Sequence, residues 1–356
     1  MRFAFTEDQA LFRASLKELL ERNCPADNVR AAWRGGEPAE LWAQLAELGV
    51  VGMTLSEQAG GLGMTALDWV LLLEEAGYAA LPEPLAQTTA CAAPLFERLA
   101  PAALASQWLP RVQQGDAKLG VCFESEPYLA HAARFDLLLI QRGAALYAAP
   151  PSDCELSAQR SLDHSRGLAR VGYQPKPSQL IAQDAREALA QAYNRAVLAQ
   201  AAELIGLGRR MLDMTVDYVK LRHQFGKPIG SYQAVKHRLA DSLLKLEFAR
   251  PLVHRAAYSC AHPAPLSTAE VDAHVSMATL YARGAADFMA KSALQLHGAI
   301  GYTFEFDLQL WLKRSWALQR CFGSAAWHRE RVAKLALSAQ NTAPQLEAQP
   351  RAELPH

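Results

Sequence analysis

The stretch Arg222-His223-Gln224-Phe225-Gly226-Lys227-Pro228-Ile229-Gly230 decides how this chain is read. It follows a long Ala/Leu-rich segment with helical periodicity, and Arg222 falls near the end of that helix. Arg222 and Lys227 supply positive charge. Gly226 and Gly230 allow close backbone approach, and Phe225 and Tyr232 offer flat surfaces. Such a set suits a pyrophosphate joined to an aromatic ring system. Taken alone, an ordinary helix end with a glycine stop and solvated cations accounts for it better. A second stretch, Gln295-Leu296-His297-Gly298-Ala299-Ile300-Gly301-Tyr302, places two glycines after another long helix. Their backbone N–H groups could face an anion. In isolation a helix C-cap and turn is the better account, and His297 reads as structural rather than as a base or ligand.

Outward from these stretches the chain divides into three regions. Residues 1–116 are mostly helical in pattern. Thr6 followed by Gln9 is a capping box, and Phe12, Leu16, Leu19 and Leu20 share one helical face. A second helix is predicted from Ala39 to Leu48, stopping at Gly49, and a loop Gly60-Gly61-Leu62-Gly63 precedes another. Residues 117–182 change to short strands at Gly120–Phe123, Asp136–Gln141 and Ala145–Ala148, with Arg142-Gly143 as a hairpin turn. Residues 183–338 return to helix, with a capping box at Ser267 and Glu270. The tail, 339–356, is polar and proline-bearing and reads as disordered. The pattern gives a mostly α protein with a small β middle domain.

Composition narrows the function. The chain has 356 residues, half of them apolar, and 36 Lys plus Arg against 36 Asp plus Glu. This charge balance argues against nucleic-acid binding, which normally uses a basic excess. No apolar run approaches the ~18 residues needed to span a bilayer. The N-terminus lacks a cleavage-site pattern. The six cysteines are scattered without a CxxC pair, so no metal or redox motif is expected, and the thiols fit a reduced, cytoplasmic setting. Gly60, Gly61 and Gly63 do not follow a strand, which excludes a Rossmann fingerprint. Glu57, Glu74 and Glu75 read as solvated or salt-bridged.

Taken together, the two signature stretches resemble the acyl-CoA dehydrogenase family. The resemblance extends from Ile205 through Gly230 and Ser231–Asp241, recurs at Leu294–Asp307, and includes Glu47–Ala79. It implies a helical N-terminal domain, a β middle domain and a C-terminal four-helix bundle. It also implies FAD, an acyl-CoA substrate and an electron-transfer flavoprotein as electron acceptor. In the family reaction a carboxylate removes the α-proton and the β-hydride goes to flavin. Arg222, Phe225, Gln233, Gln295 and Gly298 match positions that contact FAD, largely that of the dimer neighbour. Ser324 stands where the family often has threonine.

The resemblance fails at the catalytic base. The usual glutamate before a glycine is Phe322 here, and the alternative position on the earlier helix is Ala196. The middle-domain loop keeps Glu126-Pro127 but loses its glycine–serine element. This combination resembles the base-lacking subunit of α2β2 bacterial steroid-catabolic acyl-CoA dehydrogenases. The implied arrangement has no catalytic residue on this chain and a second dehydrogenase-like subunit carrying the base. Two other readings stay open: a non-catalytic scaffold, and a self-sufficient homotetramer using Glu305 or another carboxylate.

Overall fold

The computed structural model describes residues 5–36 and 40–342. The chain opens with α1 (Glu7–Asn23), α2 (Ala26–Trp33), α3 (Leu41–Glu47), α4 (Ala66–Tyr78), α5 (Ala93–Leu99) and α6 (Ala102–Gln114). The Thr6 capping box forms, with both the Thr6 and the Gln9 side chains bonded to backbone N–H groups. Leu16 and Leu20 are buried, while Phe12 and Leu19 pack at the edge of the same core. Helix α3 ends one residue short of the predicted Leu48. The expected start at Ala39 lies outside the described residues.

The β segment follows. Strands β1 (Leu119–Cys122), β2 (Leu137–Arg142), β3 (Ala145–Ala149) and β6 (Leu180–Ala182) make one sheet in the order β1-β2-β3-β6. β1 and β2 are parallel, β2 and β3 form the antiparallel hairpin through Gly143, and β4 (Glu155–Ala158) pairs with β5 (Ala169–Gly172). β2 reads Leu-Leu-Leu-Ile because both its faces are covered. Leu137 and Leu139 face a core shared with α5, α6 and the start of the next helix. Leu138 and Ile140 face a second core built with Leu129, Phe135 and Tyr173.

Three long helices complete the fold: α7 (Arg186–Leu221), α8 (Gln233–Ala261) and α9 (Thr268–His297). The shorter α10 (Leu308–Leu318) and α11 (Ala325–Thr342) pack against α7 and α9. α9 starts with the expected capping box, Ser267 with Glu270. α11 runs to Thr342, four residues into the stretch expected to be disordered; the rest of that tail lies outside the described residues.

Glycine sets the fit between α4 and α7. A Cβ on Gly206 would stand 1.9 Å from the Glu74 carbonyl oxygen, and one on Gly77 would stand 2.1 Å from that of Glu203. The helices therefore touch backbone to backbone, which fixes the height of α7 residues above the cavity described below. Glu74 and Glu75, on α4, are buried rather than solvated. Glu74 accepts from Arg250 Nε at 3.0 Å and pairs with His254 Nε2 at 2.6 Å. Glu75 pairs with Arg13 and Arg209. Their salt-bridged alternative is the one realised. No helix among the described residues is long and apolar enough to cross a membrane.

Candidate functional site

Two separate places carry the residues singled out in the sequence. The first is one end of the long-helix bundle. α7 stops at Arg222 and the chain turns through a two-stranded hairpin, β7 (His223–Gln224) and β8 (Lys227–Pro228), before α8 begins. At the hairpin tip Phe225 has φ +51° and is 91% exposed. A bulky residue in the left-handed region with its ring in solvent is held there by the turn and not by burial. The Phe225 ring meets Tyr232 edge-on at 6.5 Å, and Lys227 Nζ lies 4.4 Å from the Tyr232 ring. The end of α9 arrives at the same place. Tyr218 on α7 stacks on His297 at 4.3 Å, and its hydroxyl donates to the His297 carbonyl at 3.4 Å. Arg222, Phe225, Gln233, Gln295 and Gly298 are all exposed here. Gly298 adopts φ +64°, ψ −142°, a conformation essentially reserved for glycine. The end thus offers a cation, an exposed aromatic ring, carboxamides and a glycine turn. It can grip an anionic and planar group brought by another molecule. His297 itself is structural, as read: buried, with Nδ1 on the Ala293 carbonyl at 2.8 Å.

The second place is a cavity of about 370 Å³ between the β segment, α7 and the turn before α11. Ala196 and Phe322, at the two positions where the family resemblance expects a base, both line it. Phe322 occupies a strained turn, φ +58°, followed by Gly323 at φ +83°. That turn is held from several sides. Arg283 Nη1 donates to the Gly323 carbonyl at 2.8 Å and Nη2 to that of Cys321 at 2.5 Å; Gln200 Nε2 also donates to Cys321 O, at 3.1 Å. His328 Nε2 donates to the Phe322 carbonyl at 2.9 Å, while Nδ1 faces Ser276 Oγ at 3.1 Å. Burial, reinforced by the nearby Arg283 charge, pushes His328 down to about 4. Ser324 belongs to this turn and not to the bundle end; its hydroxyl accepts the Trp327 N–H at 3.1 Å and so caps α11.

The middle-domain loop closes onto the turn. Glu126 Oε2 accepts the Phe322 N–H at 2.9 Å and Oε1 accepts the Tyr193 hydroxyl at 2.9 Å. Phe123, Tyr193 and Phe322 meet edge-to-face, with centroids 5.2 to 6.4 Å apart. Glu126 thus ties the loop to the turn, with the three rings packed beside it.

Sequence reasoning missed the charged end of this cavity. Glu203, two turns beyond Ala196 on the same face of α7, lines it together with Arg166 and Arg314. Burial raises Glu203 to about 7, against the lowering pull of Arg314 and Arg166. The available signal was that Glu203 is the one charged residue between Ala196 and Gly208. Glu305, a base candidate from sequence, is exposed and does not line the cavity; its carbonyl accepts from Arg30.

Comparison with known proteins places the chain in a family. The family model "Acyl-CoA dehydrogenase, N-terminal domain" matches residues 6–116, and "Acyl-CoA dehydrogenase, C-terminal domain" matches 186–337. The chain is 34% identical over 322 residues to acyl-CoA dehydrogenase IpdE2 of Mycolicibacterium smegmatis, covering 87% of this chain and 93% of that protein. The chain belongs to the acyl-CoA dehydrogenase family. Its activity class is that of an acyl-CoA dehydrogenase oxidoreductase with FAD as cofactor. The fold matches one chain of the ChsE4-ChsE5 complex from Mycobacterium tuberculosis at a TM-score of 0.82 and 22% identity, covering 95% and 99% of the two chains. It also matches a chain of the Tcur3481-Tcur3483 steroid acyl-CoA dehydrogenase, at 0.83 and 21%, covering 94% and 99%. Against this family's cofactor, the exposed donors at the bundle end fit the polar part of FAD. The loop and turn at the cavity are instead bonded to each other through Glu126.

Proposed function

We propose that this chain is the base-lacking subunit of a heteromeric acyl-CoA dehydrogenase. In this arrangement it lends half of a flavin site to a partner that carries the catalytic glutamate. The single observation behind this is the bridged Glu126–Phe322 contact in the chain's own cavity beside a fully exposed donor set at the bundle end. Arg222 and the Gly298 turn would hold the pyrophosphate, with Phe225, Gln233 and Gln295 against the adenine side. FAD bound there would accept hydride from the β-carbon of the acyl thioester. Phe322 and Ala196 can accept no proton, so α-proton removal falls to the partner's carboxylate. Ser324 acts as a helix cap here, without a part in holding FAD. The heteromeric neighbours make a steroid-derived acyl-CoA the favoured substrate class, and an electron-transfer flavoprotein the favoured acceptor.

The test is flavin stoichiometry. The chain is purified alone and with the dehydrogenase-like protein encoded beside it. Alone it should bind little FAD; together the pair should hold about half as many flavins as chains and oxidise acyl-CoA. Arg222→Ala should lower the flavin content of the pair at least about ten-fold, as expected for losing a charge-assisted contact. Full flavin loading and turnover by this chain alone would defeat the proposal.

A self-sufficient enzyme is the second reading, and Glu203 is what favours it: a carboxyl raised to about 7 on a cavity wall has the proton affinity of a general base. Glu203→Gln in the assembled enzyme separates the two. Unchanged turnover supports the half-site, and lost turnover with intact folding supports the second reading.

A further inference from the structure

The inner end of the cavity holds two polar groups short of partners. Arg166 is only 8% exposed, and the one hydrogen bond of its guanidinium among the described residues goes to the Cys321 thiol at 3.1 Å. A thiol is a weak acceptor for a group with five donors. Glu203 makes no hydrogen bond or ion pair among the described residues. Their neighbours are engaged. Arg314 bonds Asp163, the Ser165 hydroxyl at 2.8 Å and the Leu81 carbonyl at 2.9 Å; Glu83 pairs with Lys118 and Arg134. Buried polar groups are normally satisfied, so a wall that presents an unspent guanidinium and an unpaired carboxyl into free volume is shaped for an added group. Away from this end Val121, Phe123, Ala196, Ala199, Leu318 and Phe322 give the wall an apolar stretch, interrupted by Glu124, Glu126, Arg142 and Gln200. Exposed Arg170 lies over exposed Tyr128 at 5.8 Å on the solvent side of the same cavity.

We infer that this cavity is a binding site for a free carboxylic acid with an apolar body, anchored by its carboxylate on Arg166 beside Glu203, with its hydrocarbon against Val121, Ala196, Ala199 and Leu318. The inference rests on the reading that the chain's own cavity does not hold flavin. A carboxylate supplies the acceptors that Arg166 lacks. Protonated Glu203 donates to the same carboxylate. Glu203 is protonated below about 7, where burial places it, with Arg314 and Arg166 lowering it and Asp163 raising it. On the same wall Glu83 is engaged by Lys118 and Arg134, and His131 is held well below its ordinary value by burial and by Arg314, Arg134, Arg166 and Lys118. Ionised Glu203 repels the ligand, so affinity falls as pH rises through 7.

The test uses the full chain, alone and with its partner, titrated calorimetrically with octanoate and with 1-octanol as the uncharged control of equal chain length. Octanoate should bind one site per chain. Arg166→Met should weaken it at least about ten-fold while leaving 1-octanol unchanged, and Arg166→Lys should restore part of the affinity. Octanoate should bind the native chain more tightly near pH 6 than near pH 8, and Glu203→Gln should remove that difference. The Glu203→Gln comparison decides the matter even if Arg166→Met does not fold. No octanoate binding, or binding indifferent to Arg166 and to Glu203, overturns this inference alone. One FAD in every chain, displaced by octanoate, overturns the half-site reading and this inference with it.

Discussion

Glu126 Oε2 accepts the backbone N–H of Phe322 at 2.9 Å, so the middle-domain loop is tied to the residue at the position where the family resemblance expects a base. The bond joins segments from the β middle and from the last turn of the helical region. It places the Glu126 carboxylate beside the backbone of residue 322.

Phe322→Glu therefore should not create an active enzyme from this chain alone. The new carboxyl would enter a wall already holding Glu126, and two close carboxylates disfavour joint ionisation. It would also lose the edge contacts with Phe123 and Tyr193. The variant should melt below the native chain, and the deficit should shrink as pH falls and the introduced carboxyl protonates. Thermal melts across pH, with an acyl-CoA oxidation assay, check this. Turnover by F322E alone would mean that the cavity does accept flavin.

How far the sequence carried can be seen at single residues. Capping boxes at Thr6 and Ser267, and the strands around Leu137–Arg142, were legible because they depend on local chemistry and period. So was the Arg222–Gly230 turn, which the structure shows as a hairpin carrying exposed Phe225 at its tip. The meeting of Arg166 and Glu203 on one cavity wall was not legible. It joins residues far apart in the chain, and nothing in either neighbourhood announces the other. Glu74 was half legible. Its charge suggested pairing, but burial depended on Arg250 and His254 arriving from α8. Ser324 stood out in the sequence only by its family position; its capping of α11 became visible once that helix was placed.

Glu74 should be costly to neutralise. It is fully buried, and burial alone would raise its carboxyl. The His254 bond and charge, with Arg250, outweigh that and hold it below the ordinary value. Glu74→Leu leaves Arg250 and His254 without their acceptor and should destabilise the chain by about 3–5 kcal/mol, the usual result of breaking a buried pair from one side. The folded pKa is the lower one, so the stabilisation is complete above the unfolded carboxylate range. It is lost as pH falls through the folded value. Urea unfolding should accordingly show a smaller native-to-E74L gap in acid than at neutral pH.

Gly206→Ala tests the contact between α4 and α7. The added methyl would fall 1.9 Å from the Glu74 carbonyl oxygen, a backbone atom that cannot rotate away. The helices must part, at a cost of about 1–3 kcal/mol or more by analogy with overpacked cores. Parting them would also shift Glu203 on the cavity wall. G206A should thus show a lower midpoint in denaturant and, if folded, weaker octanoate binding than native. Gly284→Ala is the control, since a Cβ there meets nothing within 4 Å.

His328 should give the fold an acid limit of its own. It is fully buried, and it holds the Phe322 carbonyl through Nε2 while accepting from Ser276 through Nδ1. Burial first, and then Arg283, lower it to about 4 from the ordinary 6.5. The unfolded chain therefore takes up this proton before the folded chain does. Stability should fall as pH drops from about 6.5 toward about 4, and should be insensitive to this group above that window. A protonated ring would also lose its acceptor role toward Ser276 and place a second cation beside Arg283. His328→Gln keeps a donor for the Phe322 carbonyl but cannot titrate. It should cost stability at neutral pH through imperfect packing, and its unfolding free energy should lose less than the native chain's between pH 6.5 and 4. Equilibrium denaturation of both proteins across that interval reads the difference directly; parallel slopes would show that another group sets the acid limit.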